Sequence, residues 1–199
     1  MIVLTKAQKS ALVGMILGDG FLQKTGKKNA RLRLEHSLKQ KEYLEWKVSL
    51  LPKLFQGKVK ILERKHPKTG RIYKYVRVQS NSSPFLGKMR ELFYPKGKKI
   101  IPPKAKSLLK HPLGLAIWYL DDGYYYKRDN VGYLYLGKIS KKEANIALGL
   151  LESNFGIKTK VLDKKNKGLA LYFSPNQTER LKKTIQRFVI PSMIYKLPS

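Results

Sequence analysis

The sequence predicts an α+β fold made of two copies of one α-β-β-α-β-β-α unit. Three observations carry that expectation: segments recur in the same order roughly one hundred residues apart, apolar residues alternate between helical and strand spacing within each copy, and a stretch rich in Pro, Gly and Lys separates the copies. Asp19 in "ILGDGF" precedes Asp122 in "YLDDGY" by 103 residues, and "LRLEHSLKQKEYLE" from Leu32 precedes "LYLGKISKKEANIA" from Leu134 by 102. "FQGKVKILERK" from Phe55 pairs with "FGIKTKVLDKK" from Phe155, and "KIIP" at Lys99 with "KLP" at Lys196, 97 residues on. The expected organisation is a first repeat over 1–93, a linker over 94–106 ("YPKGKKIIPPKAK") and a second repeat over 107–199.

In the first repeat, Thr5 can N-cap a helix from about Lys6 to Asp19 that Gly20 closes, with Leu12, Val13, Ile16 and Leu17 apolar. "RLRLEH" (Arg31–His36) alternates as a strand, Leu32 and Leu34 on one face and Arg31, Arg33 and Glu35 on the other. "KQKEYLEWKVSLLPKLF" has helical spacing through Tyr43, Leu44, Val48, Leu51 and Leu54, and Pro52 ends it. "KVKILERK" and "YKYVRVQS" flank the turn "HPKTG" as a strand pair, followed by a helix near Pro84–Leu92. The second repeat predicts a helix over about Ser107–Asp122, strands near Tyr124–Lys127 and Gly132–Ile139, and a helix over Lys141–Phe155. Strands at Thr159–Asp163 and Leu169–Phe173 and a helix over Pro175–Phe188 complete it.

Composition narrows the function. With 42% hydrophobic residues, a 199-residue chain can bury a core, and no run approaches the ~18 uncharged residues of a membrane span. The reading is therefore a soluble intracellular protein of the cytoplasm or an organelle matrix, with no membrane partner. Zero cysteines exclude disulfides and thiolate metal sites, and three scattered histidines argue against structural zinc, so any metal is held by oxygen. The 42 Lys and Arg against 13 Asp and Glu, net +29, are spread along the whole chain. Such an excess points to a polyanion, with nucleic acid favoured over anionic lipid. A glycosidase that uses two acids is a poor fit, because nothing in a sugar calls for so cationic a surface.

In this basic chain two acids stand at matching places, each at the end of an apolar helix. Gly14 and Gly18 share a face of the first helix, which implies close approach of another backbone; the second helix carries Gly114 and Ala116. If the two helices pack as the centre of a pseudo-twofold pair, Asp19 and Asp122 come close, and two carboxylates at ~4 Å repel by about 4 kcal/mol at an effective dielectric near 20. Mg²⁺, which favours carboxylate, carbonyl and water oxygens, is the natural counterion.

"LVGMILGDG" (Leu12–Gly20) and "LAIWYLDDG" (Leu115–Gly123) resemble the paired motifs of the LAGLIDADG homing endonucleases in their single-chain, two-motif form. "WYLDDG" (118–123), "KKIIP" (98–102) and "IYKLP" (194–198) are similar to "WFMDDG", "KKTIP" and "MYKLP" of the yeast mitochondrial omega-intron subgroup. The resemblance implies a DNA-binding saddle of two antiparallel sheets around a central helix pair, in a monomer that hydrolyses both strands of a long double-stranded DNA target with Mg²⁺, Mn²⁺ or Ca²⁺ being able to replace it in binding. It places the metal-binding acids at Asp19 and Asp122, further carbonyl ligands at Gly18 and Asp121, and the flanking catalytic lysines at Lys99 and Lys196. Glu35 corresponds to an acid of the subgroup's first half. This chain departs from the pattern where "LYLGKI" (Leu134–Ile139) replaces the subgroup's "LNTQSF", and where Ile117 takes the motif's usual glycine position.

The exposed strand faces supply the candidate DNA contacts, since β-ribbons can follow the major groove. In the first repeat these are Arg31, Arg33, Lys58, Lys60, Arg71, Lys74, Arg77 and Gln79; in the second, Tyr125, Lys127, Tyr133, Tyr135, Lys138, Lys158 and Lys160. Trp118 and Trp46 are expected in the core. An intron-RNA-binding maturase and a DNA-binding protein of the same fold with degenerate catalysis are the alternatives. Acids retained in both copies favour cleavage, because a pure binder gains nothing from carboxylates beside phosphates.

Overall fold

The computed structural model describes residues 3–198; residues 1, 2 and 199, the outer ends of the two expected repeats, lie outside it. By contact density the described residues divide into one compact unit over 19–91 and another formed by 3–18 together with 92–198. The opening helix is thus grouped with residues that follow much later in the chain.

The first unit holds strands β1 (Phe21–Lys24), β2 (Ala30–Ser37), β3 (Lys60–Lys65) and β4 (Ile72–Gln79) in one antiparallel sheet of order β1-β2-β4-β3. The period-2 pattern of β2 buries Leu32 and Leu34 and leaves Arg31, Arg33 and Glu35 on the open face; β4 likewise buries Val76 and Val78. Helix α2 (Lys41–Ser49) stops before Pro52, and helix α3 (Pro84–Phe93) begins on its proline.

In the second unit, helix α1 (Lys6–Leu17) starts in a full capping box, Thr5 Oγ1 accepting from the Gln8 N–H while the Gln8 side chain accepts from the Thr5 N–H. It ends at Gly18, two residues earlier than Gly20 predicted, so Asp19 lies beyond the helix. The single helix expected over Ser107–Asp122 is two: α4 (Ala105–Leu108) and α5 (Pro112–Asp122). Pro112 has no N–H to continue a helix and suits the first turn of a new one. Asn154 donates to the carbonyls of Lys106 and Leu109, at 2.7 and 2.9 Å, satisfying groups that the break would orphan.

Strands β5 (Gly123–Tyr126), β6 (Val131–Gly137), β7 (Lys160–Asp163) and β8 (Leu169–Phe173) form the second sheet in the order β5-β6-β8-β7, the same pattern as the first. β6 ends in a bulge at Gly137, whose φ of +71° suits glycine. Helix α6 (Lys141–Phe155) matches its expected bounds; helix α7 (Pro175–Ile185) gives way to a 3₁₀ turn over Gln186–Phe188. Trp118 is buried as expected, whereas Trp46 is half-buried and stacks on Tyr43 at 5.6 Å.

Candidate active site

Helices α1 and α5 meet backbone to backbone. A β-carbon on Gly14 would lie 2.2 Å from the Gly114 carbonyl oxygen, and one on Gly114 would lie 2.3 Å from that of Ser10. Ser10 adds a clasp, its hydroxyl donating to the His111 carbonyl at 2.9 Å and accepting from the His111 N–H at 3.0 Å. Toward the C-terminal ends the glycine has another purpose: a β-carbon on Gly18 would collide with the Asp121 carboxylate, 2.3 Å from Oδ2. Gly18 therefore makes room for an acid and not, as at Gly14, for a backbone.

Each motif ends in a carbonyl held by a lysine. Lys99 Nζ donates to the Gly18 carbonyl; Lys196 Nζ donates to the carbonyl of Asp121 at 3.2 Å and to that of Gly123 at 3.0 Å. Gly18 and Asp121 occupy the same motif position, so the two lysines repeat one geometry, and each carbonyl immediately precedes a motif acid, Asp19 or Asp122. Asp122 lines a cavity of about 450 Å³ with Gly18, Lys98, Lys99, Lys138 and Lys167.

In the other unit, the half-exposed Asp19 shares a groove of about 430 Å³ with Glu35, His36 and Arg64. His36 Nδ1 lies 3.6 Å from Asp19 Oδ2, and its Nε2 lies 3.0 Å from the Nζ of Lys47. Sequence reading assigned neither residue a place here, although the parity of β2 puts His36 on the buried face with Leu32 and Leu34. Glu35 is gripped by Arg33 at 3.0 Å, Arg77 at 3.3 Å and Arg64 at 3.6 Å.

The register sorts the expected nucleic-acid contacts. In the first sheet Arg31, Arg33, Gln79, Arg77 and Lys60 share the open face: Arg33 faces Gln79, and Arg77 faces both Glu35 and Lys60. Lys74 does not join them. It alternates with Arg77 and lies on the face of Val76 and Val78, paired with Glu63 at 3.4 Å. Lys58 and Arg71 sit in the chain just ahead of β3 and β4, both exposed.

In the second sheet Tyr124, Tyr133, Tyr172 and Lys160 line up across the four strands, with Tyr135 two residues along β6. Tyr125 is on the other face, opposite Gly132, its hydroxyl donating to Asn130 at 2.6 Å. The buried Tyr119 phenol is pushed well above its ordinary 10.0, first by burial and then by Tyr125 beside it. The alternation that puts Tyr124 on the open face puts Tyr125 on the opposite one. Lys127 falls in a 3₁₀ turn after β5, Lys138 follows the Gly137 bulge, and Lys158 precedes β7. The exposed Tyr124 and the half-buried Tyr172, both outside the expected set, belong to the open face, as does the Lys164 ammonium 4.0 Å above the Tyr133 ring.

Residues 9–181 match the model of the LAGLIDADG DNA endonuclease family. The chain belongs to that family. Relatives of this family member include the probable intron-encoded endonuclease 1 of Wickerhamomyces canadensis, 28% identical over 98% of this chain and 85% of that protein. The cytochrome b mRNA maturase bI2 of Debaryomyces hansenii is 27% identical over 98% of this chain and 74% of its own length. Among solved structures, the homing endonuclease I-WcaI bound to its DNA recognition sequence superposes with a TM-score of 0.88 at 26% identity, covering 99% of this chain and 88% of that one. The resemblance carried by the paired motifs holds, and with it the α+β class and the reading as a DNA endonuclease of the homing type. Among the described residues no helix is long and apolar enough to cross a membrane.

Proposed function

We propose that this endonuclease hydrolyses both strands of a long double-stranded DNA site in a metal-dependent reaction, acting as a monomer because one chain carries both motifs. The observation that carries the proposal is the repeated lysine-on-carbonyl geometry, Lys99 on Gly18 and Lys196 on Asp121, each directly ahead of an acid. Such oxygens already attract a cation. The donors assigned to metal, the carboxylates of Asp19 and Asp122 and the carbonyls of Gly18 and Asp121, are all oxygen, which suits Mg²⁺ with Mn²⁺ or Ca²⁺ as substitutes.

A divalent ion there would lower the pKa of a bound water and polarise the phosphate as a Lewis acid. The chain's own residues do the rest. Lys99 and Lys196 hold fixed positive charge at the motif ends, where it can orient water and stabilise charge developing on the phosphate. Lys98, Lys138 and Lys167, which line the cavity beside Asp122, favour entry of a phosphate backbone. The open faces carry Arg31, Arg33, Lys60, Arg77 and Gln79 in one sheet and Tyr133, Tyr135 and Lys160 in the other, with donors and aromatic edges for reading bases in the major groove.

The test is cleavage of a plasmid library with and without Mg²⁺. Asp19→Asn and Asp122→Asn should each lower cleavage by on the order of 10²-fold or more while leaving DNA binding nearly unchanged. Cleavage that survives both substitutions refutes the assignment. The maturase relative supports a second reading, intron-RNA binding; tight RNA binding by both variants with no DNA cleavage by the unaltered protein would favour it.

A further inference from the structure

We propose that Glu35 is a specificity-determining positioning residue, which holds the guanidinium of Arg33 ready to read a guanine edge in the target duplex. The inference rests on the reading of the first sheet's open face as a surface that contacts bases. By register that face includes Phe21, Arg31, Arg33, Arg64, Tyr75 and Arg77, and Glu35 is its one acid among the described residues. A carboxylate there repels the phosphates that the rest of the chain attracts. Partly exposed ion pairs also add little to stability. Neither attraction to DNA nor folding accounts for an acid at this place.

The oxygens of Glu35 face arginines. Oε1 lies 3.0 Å from Arg33 Nε and 3.3 Å from Arg77 Nη2. Oε2 accepts from the same Arg77 nitrogen at 3.3 Å and lies 3.6 Å from Arg64 Nη2. Aromatic rings hold the same guanidiniums: Arg33 lies 5.2 Å over Phe21, its cross-strand neighbour, while Tyr75 has Arg64 at 5.0 Å and Arg77 at 5.4 Å. Three like charges are thus gathered round one acid, which offsets their mutual repulsion.

Arg33 differs from the other two. Arg77 engages Glu35 and the Tyr75 hydroxyl through a terminal nitrogen, and Arg64 also meets Glu35 through one. Arg33 meets it at Nε, and neither of its terminal nitrogens donates a hydrogen bond among the described residues. Those two nitrogens are the fork that matches guanine O6 and N7. A side chain held in advance loses less rotamer freedom on binding, so more of the contact's strength survives. Without Glu35 the three guanidiniums separate into solvent, where each still attracts phosphate but none is aimed at a base. Discrimination falls while charge-driven attraction grows.

The experiment is selection by binding from a randomised duplex pool, with Ca²⁺ in place of Mg²⁺, and affinity for the unselected pool measured alongside. Duplexes enriched by the unaltered protein should carry a guanine at one position, preferred by about 10–100-fold, and Arg33→Ala should abolish that preference. Glu35→Gln keeps the size but sets an amide donor against guanidinium donors, and should cut the same preference to less than about threefold. Affinity for the unselected pool should hold or rise by up to about tenfold, because the protein gains a positive charge. In the Arg33→Ala background, Glu35→Gln should change no preference at that position. A guanine preference that survives Glu35→Gln overturns the proposal, as do target and pool affinities that fall together, the sign of a damaged fold. If no position depends on Arg33 while Arg31→Ala or Lys60→Ala erases preferences, the base-reading face stands and the proposal falls. If the unaltered protein enriches no sequence at all, the reading of the face fails first and the proposal with it. Should Glu35→Gln not fold, Glu35→Asp decides in its place. It keeps the charge and draws the carboxylate back by one methylene, so the guanine preference should again be lost, and its retention would overturn the proposal.

Discussion

Glu143 is one carboxylate with two tasks. It closes the capping box of α6, accepting from the Ser140 N–H at 2.9 Å and the Ser140 hydroxyl at 2.6 Å, and it accepts from the Ile101 N–H at 3.2 Å. Partial burial alone would raise its pKa, but the Ser140 bonds, the Ile101 N–H and nearby Lys98 together hold it below the ordinary 4.5. A carboxylate whose folded pKa is depressed stabilises the fold above its unfolded value, and that stability is lost as pH falls through the folded value. Glu143→Gln can still fill the capping box. It should therefore leave neutral-pH stability within about 1 kcal/mol and flatten the acid limb of a melting-temperature series below 4.5; an acid limb as steep as before would refute the assignment. The same scale explains what a linear reading overlooked. Among 42 basic residues a lysine reads as surface, yet Lys47 follows Tyr43 by four and Leu44 by three, which puts it on the apolar stripe of α2. The acids at 19 and 122 were legible because acids are scarce here and these two recur.

Among elements, the α1–α5 contact gives the sharpest expectation. Gly14→Ala gains helix propensity but drives a methyl into the Gly114 backbone, which cannot swing aside as a side chain can. A net loss of about 1–3 kcal/mol is expected. Gly149→Ala in α6, with nothing within 4 Å of the added carbon, should gain about 0.5–1 kcal/mol. Urea titrations of both variants check the contrast, and similar changes in the two would contradict the close approach. The glycine spacing of α1 announced a close approach, and periodicity located α2, α3, α6 and most strands. The exact ends were less legible, because they depend on tertiary partners: α1 yields at Gly18 where the Asp121 carboxylate needs room, and α4 breaks from α5 at Pro112 where Asn154 covers the freed carbonyls. In β5 the alternation was legible but its phase was not: Tyr124 pairs with Tyr133 on the open face, which leaves Tyr125 on the other one opposite Gly132.

At the scale of the molecule, the repeat seen as faint sequence similarity becomes plain in the identical strand orders β1-β2-β4-β3 and β5-β6-β8-β7. Net charge +29 has a thermodynamic consequence. If the chain neutralises ~6–10 phosphates, log K for target DNA should fall with log salt at a slope of roughly −5 to −9, and affinity should drop by about 10³–10⁵ between low and moderate salt. Fluorescence anisotropy across a salt series measures the slope, and a value near zero would exclude a phosphate-dominated interface.

The grouping of residues 3–18 with 92–198 bears on protein engineering. The opening helix is buried throughout from Ser10 to Leu17, and α5, whose backbone it meets at Gly114, is synthesised only after the first sheet. A hybrid that borrows its leading half from another enzyme must import a helix whose bare backbone fits Gly114, or redesign both surfaces at once. Compatibility between parents is decided at that buried seam before any base contact is chosen.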